Sequence, residues 1–382
     1  MKFAHLADCH IGGWREPELK ELSIKSFEKA IDICIKERVG FVLISGDLFD
    51  TSLPSIDIIK ETASVLNKLR EYDISCYIIP GSHDFSPSGK TMLDVLEHSG
   101  LLENVMKFRD NKLIFTEDRT GVKITGIYGK KGALEIETYK TLEKEHLENE
   151  KGFKIFMFHS LLEELKPKGF PVEGHSLSLL PKNFNYYAGG HPHFITAKEY
   201  PDYGIISYPG PVFPNNFKEL EELKHGNLCI VEFNKEINVK NIPLEIKQVH
   251  SYCINANNKT TSEIQKEINN IKETDGIILL RIEGILKEGK PTDIKFKDIP
   301  SYSFLKNTSK LLSKEAEEIK ISETANIEED FVKEFNKEKI FDDKIILSLM
   351  AILDKEKEEG ERIVDFEERI IKDIKKLLEV EI

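Results

Sequence analysis

The first eighty residues alternate between two periodicities, and that alternation constrains the fold more than any other feature of the chain. Phe3-Ala4-His5-Leu6-Ala7, Phe41-Val42-Leu43-Ile44-Ser45 and Tyr77-Ile78-Ile79 are short apolar runs of strand type. Between them lie two helical patterns: residues 20–37, with Leu22, Ile24, Phe27, Ile31 and Ile35 on one side, and residues 55–70. This βαβαβ order predicts a parallel sheet with helices over its faces. Each strand-like run ends in a polar motif: Asp8-Cys9-His10, Gly46-Asp47-Leu48-Phe49-Asp50 and Gly81-Ser82-His83-Asp84. Open α/β sheets bind ligands at the carboxyl ends of their strands, so the motifs fall where a site belongs.

From about residue 113 the texture changes to antiparallel-type strands at 113–116, 121–128, 153–158, 184–189 and 204–208, with a helix at 138–149. The expectation is two packed mixed sheets with helices outside, an α/β fold. His159 and Gly190-His191-Pro192-His193 again follow strand-like runs, and the turn cluster Tyr208-Pro209-Gly210-Pro211 closes a first domain of residues 1–215. Residues 216–300 read as a small α+β cap domain, with strands at 226–233, 247–254, 277–284 and 292–297 and a helix at 260–272. Residues 301–382 are rich in lysine and glutamate, with helices near 327–337, 341–356 and 361–379. Ile363, Phe366, Ile370, Ile374 and Leu377 make the last of these an amphipathic stripe, suited to packing on its own domain or on a partner.

The motifs share one kind of chemistry. Asp8 and His10 are two apart, so they share a face at a strand end and can reach one cation. Gly46 lets the backbone turn sharply, and Asp47 beyond it has two oxygens with which to bridge two cations. His191 and His193 are again two apart, around a proline that stiffens the backbone between them. Taken alone, a D-x-H tripeptide is a weak signal. Carboxylates and imidazoles from five ordered segments are a strong one, because two divalent cations about 3.5–4 Å apart need that donor set.

The bulk properties narrow the setting. With 40% hydrophobic and 32% charged residues, the 382-residue chain is of soluble globular type. No run approaches the ~20 apolar residues of a membrane span, and the apolar N-terminal stretch is too short for a signal peptide. The five cysteines are scattered and form no CxxC, which predicts buried thiols in a reducing compartment. Cys9, between two candidate ligands, should point away from them. The net charge of −13 argues mildly against a nucleic-acid partner, but more than half of it falls after residue 300.

In pattern and order these residues resemble the calcineurin-like metallophosphoesterase superfamily, whose signature is D-x-H, G-D-x-x-D, G-N-H-[DE], H and G-H-x-H. GDLFD followed by Pro54, and Tyr208-Pro209-Gly210, are most similar to the SbcD-type nucleases of archaeal and bacterial DNA double-strand-break repair. Leu305-Lys306-Asn307-Thr308-Ser309-Lys310-Leu311 resembles the archaeal branch. The resemblance implies a four-layer α-β-β-α metallophosphoesterase sandwich, a DNA-contacting cap and a C-terminal helical tail that binds a partner. It implies that Asp8, His10 and His193 hold one metal, that Asp47 bridges, that His159 and His191 hold the second, and that His83 is the acid at the phosphate. Two Mn²⁺ ions are the implied cofactors, with Mg²⁺ as the alternative. Asp50 and Asp84 are expected to orient imidazoles from behind.

One residue departs from the pattern. Ser82 stands where the family has an asparagine ligand to the second metal, and its shorter hydroxyl implies weaker binding there. The implied activity is two-metal phosphodiester hydrolysis of DNA, by 3′→5′ exonuclease and single-strand endonuclease cleavage. The implied partners are DNA ends, a second copy of the chain, and an SMC-like coiled-coil ATPase of SbcC type docked on the C-terminal helices. The implied setting is the prokaryotic cytoplasm, at the nucleoid. Two other readings stay open: a phosphodiesterase for nucleotides or other small molecules, and a scaffold subunit weakened by Ser82.

Overall fold

The computed structural model describes residues 1–84, 86, 91–130, 135–168, 172, 174–296, 299–314, 343–358 and 360–378. The helix expected near 327–337 lies outside the described residues. The chain divides into two compact units, Met1–Asn216 with Leu223–Ile246, and Phe217–Glu222 with Lys247–Ile382.

The first unit opens with β1 (Lys2–Leu6), α1 (Pro17–Lys36), β2 (Phe41–Ser45), α2 (Ile56–Glu71), β3 (Ser75–Ile79), α3 (Met92–His98) and β4 (Glu103–Asn104). Pro17 starts α1 with its φ already set for a helix, and Glu18 and Lys36 place complementary charges at the two ends of the dipole. The helix buries Leu19, Leu22, Phe27, Ala30, Ile31 and Cys34, the spacing of one helical face. β1 to β4 pair in parallel, in register Ala4↔Val42 and Val42↔Cys76. A small hairpin, β5 (Lys107–Arg109) and β6 (Lys112–Ile114), leads to the second half.

That half comprises β7 (Thr116–Glu117), β8 (Lys123–Ile127), α4 (Glu135–Thr141), α5 (Glu145–Asn149), β9 (Lys154–His159), β10 (Tyr186–Gly190), β11 (Thr196–Glu199) and β12 (Ile205–Tyr208). Here the expectation of antiparallel strands is wrong. β8, β9, β10 and β12 are parallel to one another, and only the edge strands β7 and β11 run antiparallel. The crossovers between them are broken into short pieces, two brief helices in place of the single one expected at 138–149, so no long helical period announces them.

Two further strands complete the first sheet. After α6 (Phe217–Leu223), β13 (Gly226–Phe233) and β14 (Ile237–Leu244) give the strand order β14-β13-β1-β2-β3-β4. β13 pairs antiparallel with β1, Phe3 opposite Val231, so the segment assigned to the cap from residue 216 belongs to the first unit's sheet as far as residue 244. An alternating apolar run cannot reveal which edge it will pair with; β1 simply has one edge unfilled.

The sheets stack face to face. Phe3, Phe41, Leu43, Tyr77 and Ile79 of the first meet Ile124, Ile155, Met157, Tyr186 and Ala188 of the second in a shared inner core. Ala4, Leu6, Val42, Ile44 and Ile78 turn outward to α1 and α2, while Phe156, Phe158, Tyr187 and Ile206 turn outward on the other side. The result is the expected α-β-β-α sandwich. Full burial of each such side chain is worth about 1.5–3 kcal/mol, so both faces of both sheets contribute to stability.

The second unit holds β15 (Val249–Asn255), α7 (Thr261–Asn269), β16 (Ile277–Ile285), β17 (Ser303–Asn307) and β18 (Leu311–Leu312), then α8 (Asp343–Leu353) and α9 (Ile363–Leu378). Its strands are parallel, with β16 central, and Ile264 and Ile268 of α7 pack on Ile254, Leu280 and Ile282. Residues 303–312 therefore complete the small sheet and do not open a linker at 301. The strand expected at 292–297 is replaced at its start by a helical turn, Pro291–Asp293, capped by the Asp293 carboxylate on Lys290 N–H. Four cysteines are buried as expected, and Cys253 is exposed. Among the described residues no helix is long and apolar enough to cross a membrane.

Candidate metal centre

Every strand that ends in a motif ends on the same side of the sandwich. β1 delivers Asp8 and His10, β2 delivers Asp47, β3 delivers Ser82 and His83, β9 ends in His159, and β10 leads to His191 and His193. Backbone conformation sets this cluster apart. Asp8 (φ 51°), His10 (41°), Asp47 (52°), His191 (101°) and His193 (52°) all lie in the left-handed region, which side chains other than glycine rarely enter. Such strain persists only where the surroundings over-determine it, and it collects at functional sites. Gly46 shares the region at φ 89°, and a Cβ there would meet His159 Nδ1 at 2.2 Å.

Three groups of ligand atoms converge, each within 4.8 Å: Asp8 with His10 and His193, Asp8 with Asp47 and His159, and His10 with Asp50 and His83. His191 joins none of the three; its ring lies 5.2 Å from that of His159, centre to centre. Ser82 is buried in the turn between Gly81 and His83. Cys9 is buried in the core on the α1 and α2 side of the first sheet, away from the cluster.

The hydrogen bonds fix which atoms face inward. His10 Nδ1 lies 3.2 Å from Asp50 Oδ1, and His159 Nδ1 lies 2.8 Å from Ser45 O. Both partners only accept, so each Nδ1 carries a proton and each Nε2 is the atom turned inward. His10 Nε2 faces His193 Nε2 at 3.1 Å, and His159 Nε2 faces Asp47 Oδ2 at 3.1 Å. Asp47 Oδ2 and His159 Nε2 are buried with no hydrogen-bond partner, although most buried polar atoms have one. Two acceptors turned toward each other at that distance call for a positive charge between them.

In the metal-free chain a proton answers that demand. Burial alone would raise the Asp47 pKa, but His159, then His10 and His83, hold it well below the usual carboxylate value. Burial works against charge on His159, yet the Asp47 carboxylate prevails and lifts its pKa to about 9. A divalent cation, which must displace that proton, meets the same demand with more ligands. The donor set fits the group.

The supporting residues divide into expected and unexpected. Asp50, expected behind an imidazole, places Oδ1 against His10 Nδ1, and its backbone carbonyl accepts from His83 Nδ1 at 2.6 Å. Asp84 does something else. Its carboxylate accepts from Leu48 N, Phe49 N and Gly81 N at 3.0–3.1 Å, bracing the turns behind β2 and β3, and among the described residues it orients no imidazole. Burial, with the Asp47 charge beside it, raises its pKa to about 6. Asp8 accepts the His191 backbone N–H on both oxygens, tying the two sheets together at the site. Sequence reasoning missed Asn215, which donates to Asp50 Oδ1 at 3.1 Å; its place just after the Pro209–Pro214 turn was the available signal.

A chain whose two stacked sheets direct such a set of ligands to one edge is a metallophosphoesterase by architecture, and the sequence pattern of the calcineurin-like phosphoesterases matches residues 1–194. The chain belongs to the calcineurin-like phosphoesterase family, which implies divalent metals. Among curated proteins it is similar to the DNA double-strand break repair protein Mre11 of Methanococcus maripaludis, 27% identical over 290 residues, 71% of this chain and 74% of that one. The protein of the same name from Archaeoglobus fulgidus is 29% identical over 239 residues, 58% of this chain and 52% of its own. That of Sulfolobus acidocaldarius is 26% identical over 378 residues, 94% of this chain and 96% of its own.

Proposed function

We propose that the chain is a metal-dependent DNA nuclease subunit that processes double-strand-break ends, by 3′→5′ exonuclease and single-strand endonuclease cleavage. The fully buried pair Asp47 Oδ2 and His159 Nε2, 3.1 Å apart at the meeting point of the two sheets with no other hydrogen-bond partner, carries the phosphoesterase part of this reading. The names of the archaeal relatives support the substrate.

In this reading Asp8, His10 and His193 would hold one cation and His159, His191 and Ser82 the second, with Asp47 serving both, Mn²⁺ as occupant and Mg²⁺ as the alternative. Bound cations supply Lewis-acid polarisation of the scissile phosphate and neutralise its charge. His83, its Nδ1–H held by Asp50 O, passes a proton from Nε2 to the leaving oxygen. Asp50 keeps the His10 lone pair aimed inward, and Asp84 keeps the carrying turns rigid.

The first unit is assigned the nuclease chemistry, the small parallel sheet the DNA contact, and the C-terminal helices the docking of an SMC-like coiled-coil ATPase of SbcC type. Ile363, Ile371 and Leu378 of α9 are exposed, which supports a partner for that helix. Leu53 and Ile56, 70% and 82% exposed around the start of α2, support a homodimer through the first unit's helices. The implied location is the cytoplasm, at the nucleoid.

The test is Mn²⁺-dependent degradation of a labelled duplex with a recessed end by wild type, Ser82→Asn and His83→Ala. Cleavage by wild type that His83→Ala abolishes is the expected result. Cleavage by Ser82→Asn alone favours a second reading, a catalytically weakened subunit, and hydrolysis of bis-p-nitrophenyl phosphate without DNA cleavage favours a small-substrate enzyme. No cleavage by any of the three sinks the nuclease reading for the isolated chain.

A further inference from the structure

The candidate centre is split between two sheets whose strands pair within their own sheet, with backbone links between the two such as Gly129 N–H to Pro80 O at 3.0 Å and the Ala7–Pro211 bridge lying just beyond the strand ends. Asp8, His10 and Asp47 ride on the first; His159, His191 and His193 ride on the second. The inner core between them is largely apolar, with Leu43, Ile79, Ile155, Met157 and Ala188 in the shared layer. Apolar contact is non-directional, so it holds two surfaces together without fixing their offset. A metal pair tolerates little offset, because ligand distances must hold within about 0.2 Å.

Beneath the site, in that same layer, lies a fully buried polar chain. His5 Nε2 is 3.0 Å from Ser45 Oγ, and Ser45 Oγ donates to Ala188 O at 2.9 Å. With its own hydrogen spent on Ala188, the Ser45 hydroxyl accepts from His5 Nε2–H. The neutral ring then accepts at Nδ1 from the Tyr186 hydroxyl, 2.9 Å away. Tyr186 is held edge-on against Phe3, 5.3 Å between ring centres, so its hydroxyl has a defined position. His5 and Ser45 belong to the first sheet, Tyr186 and Ala188 to the second, and all four are fully buried.

Ser45 then connects this chain to the centre. Its side chain is fixed by His5 and Ala188, and its backbone carbonyl takes the Nδ1–H of His159, the atom that decides where His159 Nε2 points. Hydrogen bonds lose strength steeply with misalignment, so the chain His5–Ser45–Ala188 with Tyr186 sets an offset that apolar packing leaves loose.

We infer that His5 is a positioning residue: through Ser45 and Tyr186 it pins the two sheets at the offset that lets His159 and Asp47 share a cation. It touches neither substrate nor metal. The inference rests on the metal-centre reading above and adds a residue that no motif of that reading contains.

Its test compares Mn²⁺ binding in the full chain for wild type, His5→Phe, His5→Gln and Tyr77→Phe, with stoichiometry, the paramagnetic-resonance signal of a coupled manganese pair, and Tm as readouts. Tyr77 is the control. Its hydroxyl also bonds across the sheets, to Asp118 at 2.8 Å, but at the turn before β8, the end of that sheet opposite the ligands. The expectation is that His5→Phe weakens the second Mn²⁺ about tenfold or more and loses the coupled signal. His5→Gln, whose amide can donate to Ser45 and accept from Tyr186, restores both. Tyr77→Phe lowers Tm and leaves both manganese readouts unchanged.

A coupled signal and second-site affinity that survive in His5→Phe overturn the inference, as does their loss in Tyr77→Phe. If His5→Phe does not fold, Tyr186→Phe decides: weakened second-site binding supports the pin, and unchanged binding refutes it. Wild type that binds no manganese pair overturns the metal-centre reading itself, and the pin with it.

Discussion

Among the described residues, sheet one brings carboxylates to the centre and sheet two brings none. Asp8, Asp47, Asp50 and Asp84 follow β1, β2 and β3, whereas β9 and β10 lead to His159, His191 and His193. The carboxylate half is rigid by its own means. Asp84 ties two of its turns together through three backbone N–H groups, and His83 N–H holds Asp47 Oδ1 at 2.7 Å. The imidazole half is braced partly from within, where the Tyr208 hydroxyl ties the turn after His159, and partly from the other sheet, whose Asp8 and Ser45 hold His191 N–H and His159 Nδ1–H. The difference teaches where the centre is vulnerable: damage to the first half removes charge, and damage to the second removes alignment.

Asp47 offers the largest break in this comparison, since the proposed centre has it serve both cations. Asp47→Asn should bind no manganese pair and lose at least 10³-fold in phosphodiester cleavage, while His193→Ala should keep one ion per chain. Metal stoichiometry by equilibrium dialysis separates the two, and equal losses would mean the halves are not distinct. Next comes Gly190→Ala, which leaves every ligand in place but drives a Cβ to 2.0 Å from Ser45 O. The cost should be about 3 kcal/mol in urea unfolding, and a cost under about 1 kcal/mol would mean that the sheets slide freely.

Asp50→Ala should sit below that, reducing manganese affinity about 10–100-fold by freeing the His10 ring, with little change in Tm. An unchanged affinity by calorimetry would assign His10 its orientation from packing alone. The smallest effect, taken per pH unit, is a slope. Burial pushes the His5 pKa down to about 3, below its unfolded value of 6.5. The unfolded chain therefore takes up this proton first, and stability from the neutral ring is complete above pH 6.5 and lost as pH falls toward 3. Across that window wild type should lose about 1.4 kcal/mol per pH unit more than His5→Gln. Parallel pH profiles for the two would show that His5 is solvated.

Much of this was legible because strands and helices write different periods. The runs at Phe3, Phe41 and Tyr77 are separated by long helices, so their parallel order and the motifs behind them could be read directly. The second sheet was misread because the described residues between His159 and Tyr186 hold just short helical turns and the return from Gly190 to Ile205 passes through the edge strand β11. Neither leaves a helical period in the sequence. Among site residues, the ligands announced themselves by spacing. Asp84 did not reveal its partners, because they are backbone N–H groups identical in every residue. Asn215 depends on a chain reversal that brings it 165 positions back to Asp50. The left-handed backbone at Asp8, His10 and Asp47 is equally invisible, since nothing in an aspartate or histidine code letter marks it.

The pairing of β13 with β1 carries a practical consequence. The family pattern ends at residue 194, and the proposed ligands end at His193, so a cut after the Tyr208 turn looks harmless on paper. Such a fragment would strip away the antiparallel neighbour that covers Lys2 to His5 and expose the N–H and C=O row of an apolar strand in the middle of the sheet. Unprotected strand edges recruit other chains, so the truncated piece should aggregate during refolding while a piece ending at Ile246 stays dispersed. The smallest self-sufficient fragment is thus defined by an edge that needs covering, some fifty residues beyond the last residue proposed to do chemistry.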